Sequence, residues 1–283
     1  MQEGQEREHF ASRIGFILVA AGCAIGIGNV WRFPYITGQY GGAAFVLLYL
    51  IFLVILGLPV MVMEFSVGRA SQKSSALAFD ILQPKRTFHW FGWWGYIGCM
   101  ILMMFYTTVA GWMIAYIPKL ASGQFANASV DATAQVFSAM VQSPSEMIIW
   151  MLVAVAIGFV TCAIGLQKGV ERITKVMMAA LFVIMLLLCV RSMTLPGAGE
   201  GIAFYLLPDF SHLFAGDTPA EQWGTFGQAV YAAMGQAFFS LSLGIAAMEI
   251  FGSRVGTERS LNGEAINITV LNTVVAILAG LII

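Results

Sequence analysis

Charge is scarce in this sequence. Only 10% of its 283 residues are Asp, Glu, Lys or Arg, and they nearly cancel to a formal net charge of −1. Such a chain has no basic footprint, so nucleic acid is excluded as a partner. Histidine is rarer still: His9, His89 and His212 stand far apart, without the spacing of a zinc site. The four cysteines, Cys23, Cys99, Cys162 and Cys189, all fall inside apolar stretches, which argues for small packing residues rather than an extracellular disulfide framework. No nucleophile, base and orienting group converge on any segment, so the reading is not an enzyme. What remains is apolar: 59% of the residues are hydrophobic and the mean hydropathy is +0.82, too high for an ordinary water-soluble domain. The chain is expected to sit in a lipid bilayer. Its N-terminus, Met1 to His9, is charged and acid-rich, unlike the basic leader of a cleaved signal peptide, so the first apolar segment is expected to be retained.

Runs of roughly 20 apolar residues, the length that crosses a bilayer core, number about seven. Their expected limits are 14–38, 41–69, 90–118, 146–166, 170–195, 224–253 and 264–283. Of the fourteen Lys and Arg residues, all but Arg32, Lys119 and Arg191 fall in segments that would share one side. The positive-inside rule makes that side cytoplasmic and puts the N-terminus there. Loops 119–145 and 196–223, which carry Asp131, Glu200, Asp209, Asp217 and Glu221, would face out. The last run is still fully apolar at Ile283, which leads us to expect a protein that continues beyond it.

The first segment places Gly22, Gly26, Gly28, Asn29, Arg32 and Pro34 within thirteen residues. Two readings compete. Gly22 and Gly26 form a GxxxG pair, a common surface for close helix packing. Alternatively the helix breaks there, and freed backbone groups with two half-helix ends hold ions or a carboxylate. Arg32 favours the second, because an arginine at a span centre costs at least ~2.5 kcal/mol unless it meets water or a partner. A dinucleotide loop fails, since Trp31 stands where the third glycine belongs. The sixth segment offers a counterpart, Gly235-Gln236-Ala237-Phe238-Phe239-Ser240-Leu241-Ser242-Leu243-Gly244. Interruptions at matching positions of two repeats are the sequence pointer to a transporter's central site.

These two stretches, with Asn29, Tyr106 and Asn272, resemble the neurotransmitter:sodium symporter family, especially its bacterial amino-acid transporters. The resemblance runs from Arg7 to Ile283. It implies an all-α polytopic fold of broken helices in a 5+5 inverted repeat, within one transmembrane domain (1–283). The first repeat would be 14–195 and the start of an incomplete second one 224–283. The activity implied is sodium-coupled symport of a neutral, hydrophobic or aromatic amino acid by alternating access across the plasma membrane, with Na+ as the co-transported ion.

Carried over by position, one sodium site would use Ala24, Asn29, Ser240 and Asn272, completed by the substrate carboxylate. A second would begin with the carbonyls of Gly22 and Ile25. The substrate pocket would be lined by Ala24, Gly26, Gly28, Leu102, Tyr106, Phe239, Ser242 and Ile245. Tyr49, Gln236, Ser240 and Asn272 stand at the family's anion position, where Ala276 leaves chloride dependence open. Arg32 matches an extracellular gate, and Arg7 with Phe10 a cytoplasmic one. Ala246 replaces a frequent glycine, so the backbone there is expected to unwind less freely.

Two intramembrane acids remain. Glu64 is expected to bond broken-helix backbone, with a transport role as the alternative, and Glu249 to reach water near the inner end. Without the family, Asn272 reads as an interhelical hydrogen bond, and Tyr106 and Phe239 as packing. A truncated, non-transporting binding or regulatory module is the competing function, and homo-oligomers are compatible with either.

Overall fold

In the computed structural model the described residues are 13–84, 87–126, 128–256 and 258–282. Arg7 and Phe10, expected at a cytoplasmic gate, lie outside them. Among the described residues every regular element is helical, with no strand.

The first span is two helices, α1 (Arg13–Ala24) and α2 (Gly28–Gln39), bent by 52° where they meet. There follow α3 (Ala43–Ser71), the short α4 (Ser75–Leu82), α5 (His89–Ala121), α6 (Val130–Val141), α7 (Pro144–Ala163), α8 (Leu166–Met193) and α9 (Ala198–Leu206). After a 3-10 turn at Phe210–Phe214 come α10 (Pro219–Ser240), α11 (Ala247–Gly252) and α12 (Leu261–Ile282). Helices α3, α5, α7, α8 and α12 are each long and apolar enough to cross a membrane, and the bent pair α1–α2 makes a sixth span. The expected span 224–253 does not pass on hydropathy alone. Glu221, Gln222, Gln228 and Gln236 make α10 more polar, and α11 is only six residues long.

The two loops expected outside the spans are not plain loops. α6 begins where the Ser129 hydroxyl accepts from the Ala132 amide. α10 opens with a capping box in which Thr218 and Glu221 satisfy each other's backbone amides, with Pro219 at the first helical position. Caps like these set helix starts without any apolar run, which is why hydropathy overlooks them.

The core lies along the bent first span. Phe16, Phe33, Tyr49, Phe65, Leu241, Met248 and Ile268 are all fully buried there, contributed by α1, α2, α3, α11, α12 and the segment between α10 and α11. By contrast α7 buries none of its residues although it is strongly apolar. Water would make such a surface costly at about 25 cal/mol per Å², so lipid or another apolar face must cover it.

Candidate functional site

The two breaks face each other across the core. Between α1 and α2 the helical ladder lapses at Ile25–Gly26: the Gly26 amide turns back to the Ala24 carbonyl at 3.1 Å, and the Gly26 carbonyl receives the Asn29 amide at 3.1 Å. Between α10 and α11 the chain unwinds over 241–246, where Ser242, Gly244 and Ala246 have φ of 54°, 81° and 58°. Two side-chain bonds hold this second break. The Glu64 carboxylate accepts from the Gly244 amide at 2.7 Å, and the Ser242 hydroxyl donates to the Cys23 carbonyl at 2.9 Å, tying one break to the other.

A buried polar cluster sits beside them. Asn29 donates through Nδ2 to the Asn272 carbonyl (3.2 Å) and to Asn272 Oδ1 (2.7 Å). Asn272 Nδ2 in turn donates to the Tyr49 hydroxyl at 3.2 Å and to Ser240 Oγ at 3.4 Å, and those two hydroxyls are 3.1 Å apart. Gln236 joins from α10 by donating to the Gly28 carbonyl at 3.0 Å. Asn29, Gln236, Ser240 and Asn272 are wholly buried, yet Asn29 Oδ1 and Gln236 Oε1 accept nothing. An orphaned buried acceptor costs about 1–3 kcal/mol, so two of them mark a place prepared for a donor or a cation.

An aromatic wall stands on the other side of the first break. The Phe239 ring lies 6.1 Å from that of Tyr106, and the Arg32 guanidinium covers it at 4.5 Å from its centroid. Gly28 lets this ring approach, since a Cβ there would come within 2.7 Å of it, while a Cβ on Gly26 would lie 3.9 Å from Tyr106. Ile245 packs against α5 at Gly98, one turn before Leu102.

The geometry therefore brings together Asn29, Ser240 and Asn272 with Tyr49 and Gln236, and separately Gly26, Gly28, Tyr106 and Phe239 with Arg32. Gly22 points elsewhere: a Cβ on it would be 2.9 Å from Thr174 Cγ2 and 3.5 Å from Met178 Sδ, so its side faces α8. Ala24 and Ile25 are buried at the end of α1.

Two expectations need correction. Ala246 does not keep the helix wound, because its backbone takes the left-handed region with its methyl set against Gly95, where a second Cβ would come within 2.9 Å. Glu249 is largely buried rather than openly solvated: it is 8% exposed, its backbone carbonyl set against α3 where Gly68 leaves room. The Ser242 to Cys23 tie escaped the sequence reading altogether, because a main-chain acceptor has no side-chain signature.

Paired discontinuous helices around a buried polar cluster define a class of membrane transporters. The family model described as the sodium:neurotransmitter symporter family matches residues 7–137 and 131–283. Curated relatives include the sodium-dependent transporter YhdH of Bacillus subtilis (strain 168), 38% identical over 99% of this chain and 59% of its own length. Another is the mouse sodium-dependent neutral amino acid transporter B(0)AT2, 27% identical over 98% of this chain and 40% of its length. Among solved structures, MhsT in complex with L-phenylalanine matches with a TM-score of 0.87 and 37% identity, over 98% of this chain and 60% of that one. The chain belongs to the sodium:neurotransmitter symporter family, with its all-α, broken-helix transporter fold. It spans between 55% and 61% of the length of the first three curated relatives.

Proposed function

We propose that this chain provides the substrate and ion site of a plasma-membrane symporter that couples sodium to a neutral, hydrophobic or aromatic amino acid. The observation that carries this reading is the orphaned Asn29 Oδ1, buried beside Ser240 and Asn272 where two helices break. Neutral oxygens suit a hard monovalent cation, and they leave its charge for a substrate carboxylate to balance. Sodium would use Ala24, Asn29, Ser240 and Asn272, with a second ion starting from Gly22 and Ile25.

The amino acid would lie between the breaks, its carboxylate toward the amides near Gly26 and the Tyr106 hydroxyl, and its side chain among Leu102, Phe239 and Ile245. Such a lining offers no partner to a charged side chain. The solved relative in complex with L-phenylalanine supports an aromatic substrate. Arg32, stacked over Phe239, would close the site from outside, with the N-terminus in the cytoplasm. Because ion and carboxylate share one site, each improves the binding of the other, and that reciprocity is the coupling.

The test uses protein made from the whole reading frame, purified and assayed for binding of labelled L-phenylalanine against sodium. Binding should require sodium. Asn29→Ala should weaken sodium and amino acid together by about tenfold or more, the equivalent of one lost buried bond. Equal binding in choline buffer would overturn the reading. A non-transporting binding module would pass this binding assay but show no uptake into sodium-gradient vesicles.

A further inference from the structure

A cavity of about 330 Å³ lies between the second half of α2, the end of α8, α9 and the end of α12. These ends are opposite the N-terminus, so the cavity is on the outer face in the orientation proposed above. None of the residues assigned to ion or substrate lines it. Two contacts fix its walls by joining α8 and α9 to α12. Ser192 donates to the Ile282 carbonyl at 3.0 Å, and the Tyr205 ring seats on Gly280, with its hydroxyl donating to the Ala276 carbonyl at 3.5 Å. Glycine makes the space itself: a Cβ on Gly38, Gly197 or Gly201 would meet nothing within 4 Å.

No charged side chain lines the cavity. An ion or a zwitterion would leave its charges there without a partner, so the amino acid itself does not suit it. Apolar side chains, Met193, Leu195, Ile202 and Phe204 among them, supply most of the wall. Thr37 supplies a polar point. It is 2% exposed, and its hydroxyl has no hydrogen-bond partner among the described residues. A buried hydroxyl left in this way is rare and marks a place for one polar group. The volume falls within the roughly 300–1,000 Å³ of small-molecule sites. Size, neutrality and a single polar anchor together specify a ligand class.

We infer that this cavity is a binding site for an uncharged, hydroxyl-bearing small amphiphile, an alcohol or phenol in chemical class. Its hydroxyl meets Thr37, and its apolar part fills the space left by Gly38 and Gly201. The same α2 carries Asn29 and Arg32 at its other end. An occupant wedged between α2 and α12 therefore holds the outer half of the broken span, and it and the amino acid alter each other's affinity. That linkage rests on the transport reading above, whereas the site does not.

The probe is azioctanol, an uncharged alcohol with a photoreactive diazirine, applied to protein made from the whole reading frame. Irradiation should label residues 34–38 or 192–205 saturably, as located by mass spectrometry, and unlabelled octanol should displace the label. Wild-type protein suffices for this step. Gly201→Leu fills the cavity and should abolish the labelling, whereas Gly199→Leu, at an exposed position of α9, should leave it unchanged. Thr37→Val keeps the volume and should weaken labelling about three- to tenfold, the worth of one hydrogen bond. Nanodiscs containing dioleoylglycerol separate the two sources of such a hydroxyl. Suppression of the label assigns a neutral lipid, full labelling assigns a free alcohol, and both uphold the site. Octanol should also shift L-phenylalanine affinity at least threefold in the wild type and not in Gly201→Leu. Labelling that does not saturate, or that persists undiminished in Gly201→Leu, would overturn the site. Specific labelling with an unchanged affinity for L-phenylalanine would overturn the linkage alone. A labelled protein that binds no L-phenylalanine in sodium would refute the transport reading and leave the site standing.

Discussion

The first break is rich in glycine and the second is poor in it, yet it is the second that needs a glycine-like backbone. Between Arg13 and Gln39 no described residue has positive φ, although Gly15, Gly22, Gly26, Gly28 and Gly38 all lie there. Gly22 and Gly28 admit neighbours instead, Thr174 to one and the Phe239 ring to the other. From 241 to 246 there is one glycine, and Ser242 and Ala246 take left-handed conformations alongside it. Such positions cost a residue with a Cβ about 1–2 kcal/mol each. Something must hold the second break open, and the Glu64 and Ser242 bonds are suited to do so. The first is shaped by packing, the second by side-chain hydrogen bonds, one to its own Gly244 amide and one from Ser242 to the Cys23 carbonyl.

The largest effect should come from breaking that difference. Glu64→Ala strands the Gly244 amide and should destabilise the fold by about 2–3 kcal/mol, the worth of a bond to a charged group. Glu64→Gln keeps an acceptor for the amide and should lose less than half as much. Thermal unfolding in detergent, followed by maleimide labelling of the four cysteines, reads both. Equal losses for Ala and Gln would mean that the carboxylate does not hold the break through this bond.

This asymmetry explains what could be read from the sequence. Apolar runs declare α3, α5, α7, α8 and α12, since a helix in lipid must satisfy its own backbone and show an apolar surface. Gly, Asn and Arg within an apolar run declare the first break. The second announces itself through Gln236, Ser240 and Gly244, but the conformation at Ala246 does not, because its compensation lies in Gly95, 151 positions earlier. The burial of Glu249 is hidden for the same reason. A glutamate near the end of an apolar run looks solvated, and only the close seating of α11 on α3 through Gly68 and Gly252 buries it. Composition carries polarity, whereas burial is a property of pairs of elements.

A second experiment sharpens the comparison by applying one substitution to each break. Gly28→Ala meets no backbone obstacle, but its methyl would press on the Phe239 ring, at an overpacking cost of about 2 kcal/mol. Gly244→Ala meets nothing within 4 Å, but its φ of 81° should cost about 1–2 kcal/mol in conformation alone. The totals are similar and the causes differ. Shortening the ring with Phe239→Leu should recover most of the loss at Gly28 and none at Gly244, a contrast that a double-mutant cycle measures directly. Recovery at both positions would show that the breaks are mechanically one unit.

The smallest effect tests whether Ala246 is strained at all. Ala246→Gly removes a left-handed penalty of about 1 kcal/mol but restores freedom to the unfolded chain worth about 0.4–1 kcal/mol, so thermal stability should rise only slightly or stay level. The more telling readout is its coupling to α5. Alone, Gly95→Ala would set two methyl carbons 2.9 Å apart and should destabilise the protein by about 1–2 kcal/mol. With Ala246→Gly beside it the clash disappears, so the pair should be less destabilising than the sum of its parts by about that amount. Strict additivity would mean that α5 and the second break adjust independently, and that the glycine at 95 is not what accommodates the alanine at 246.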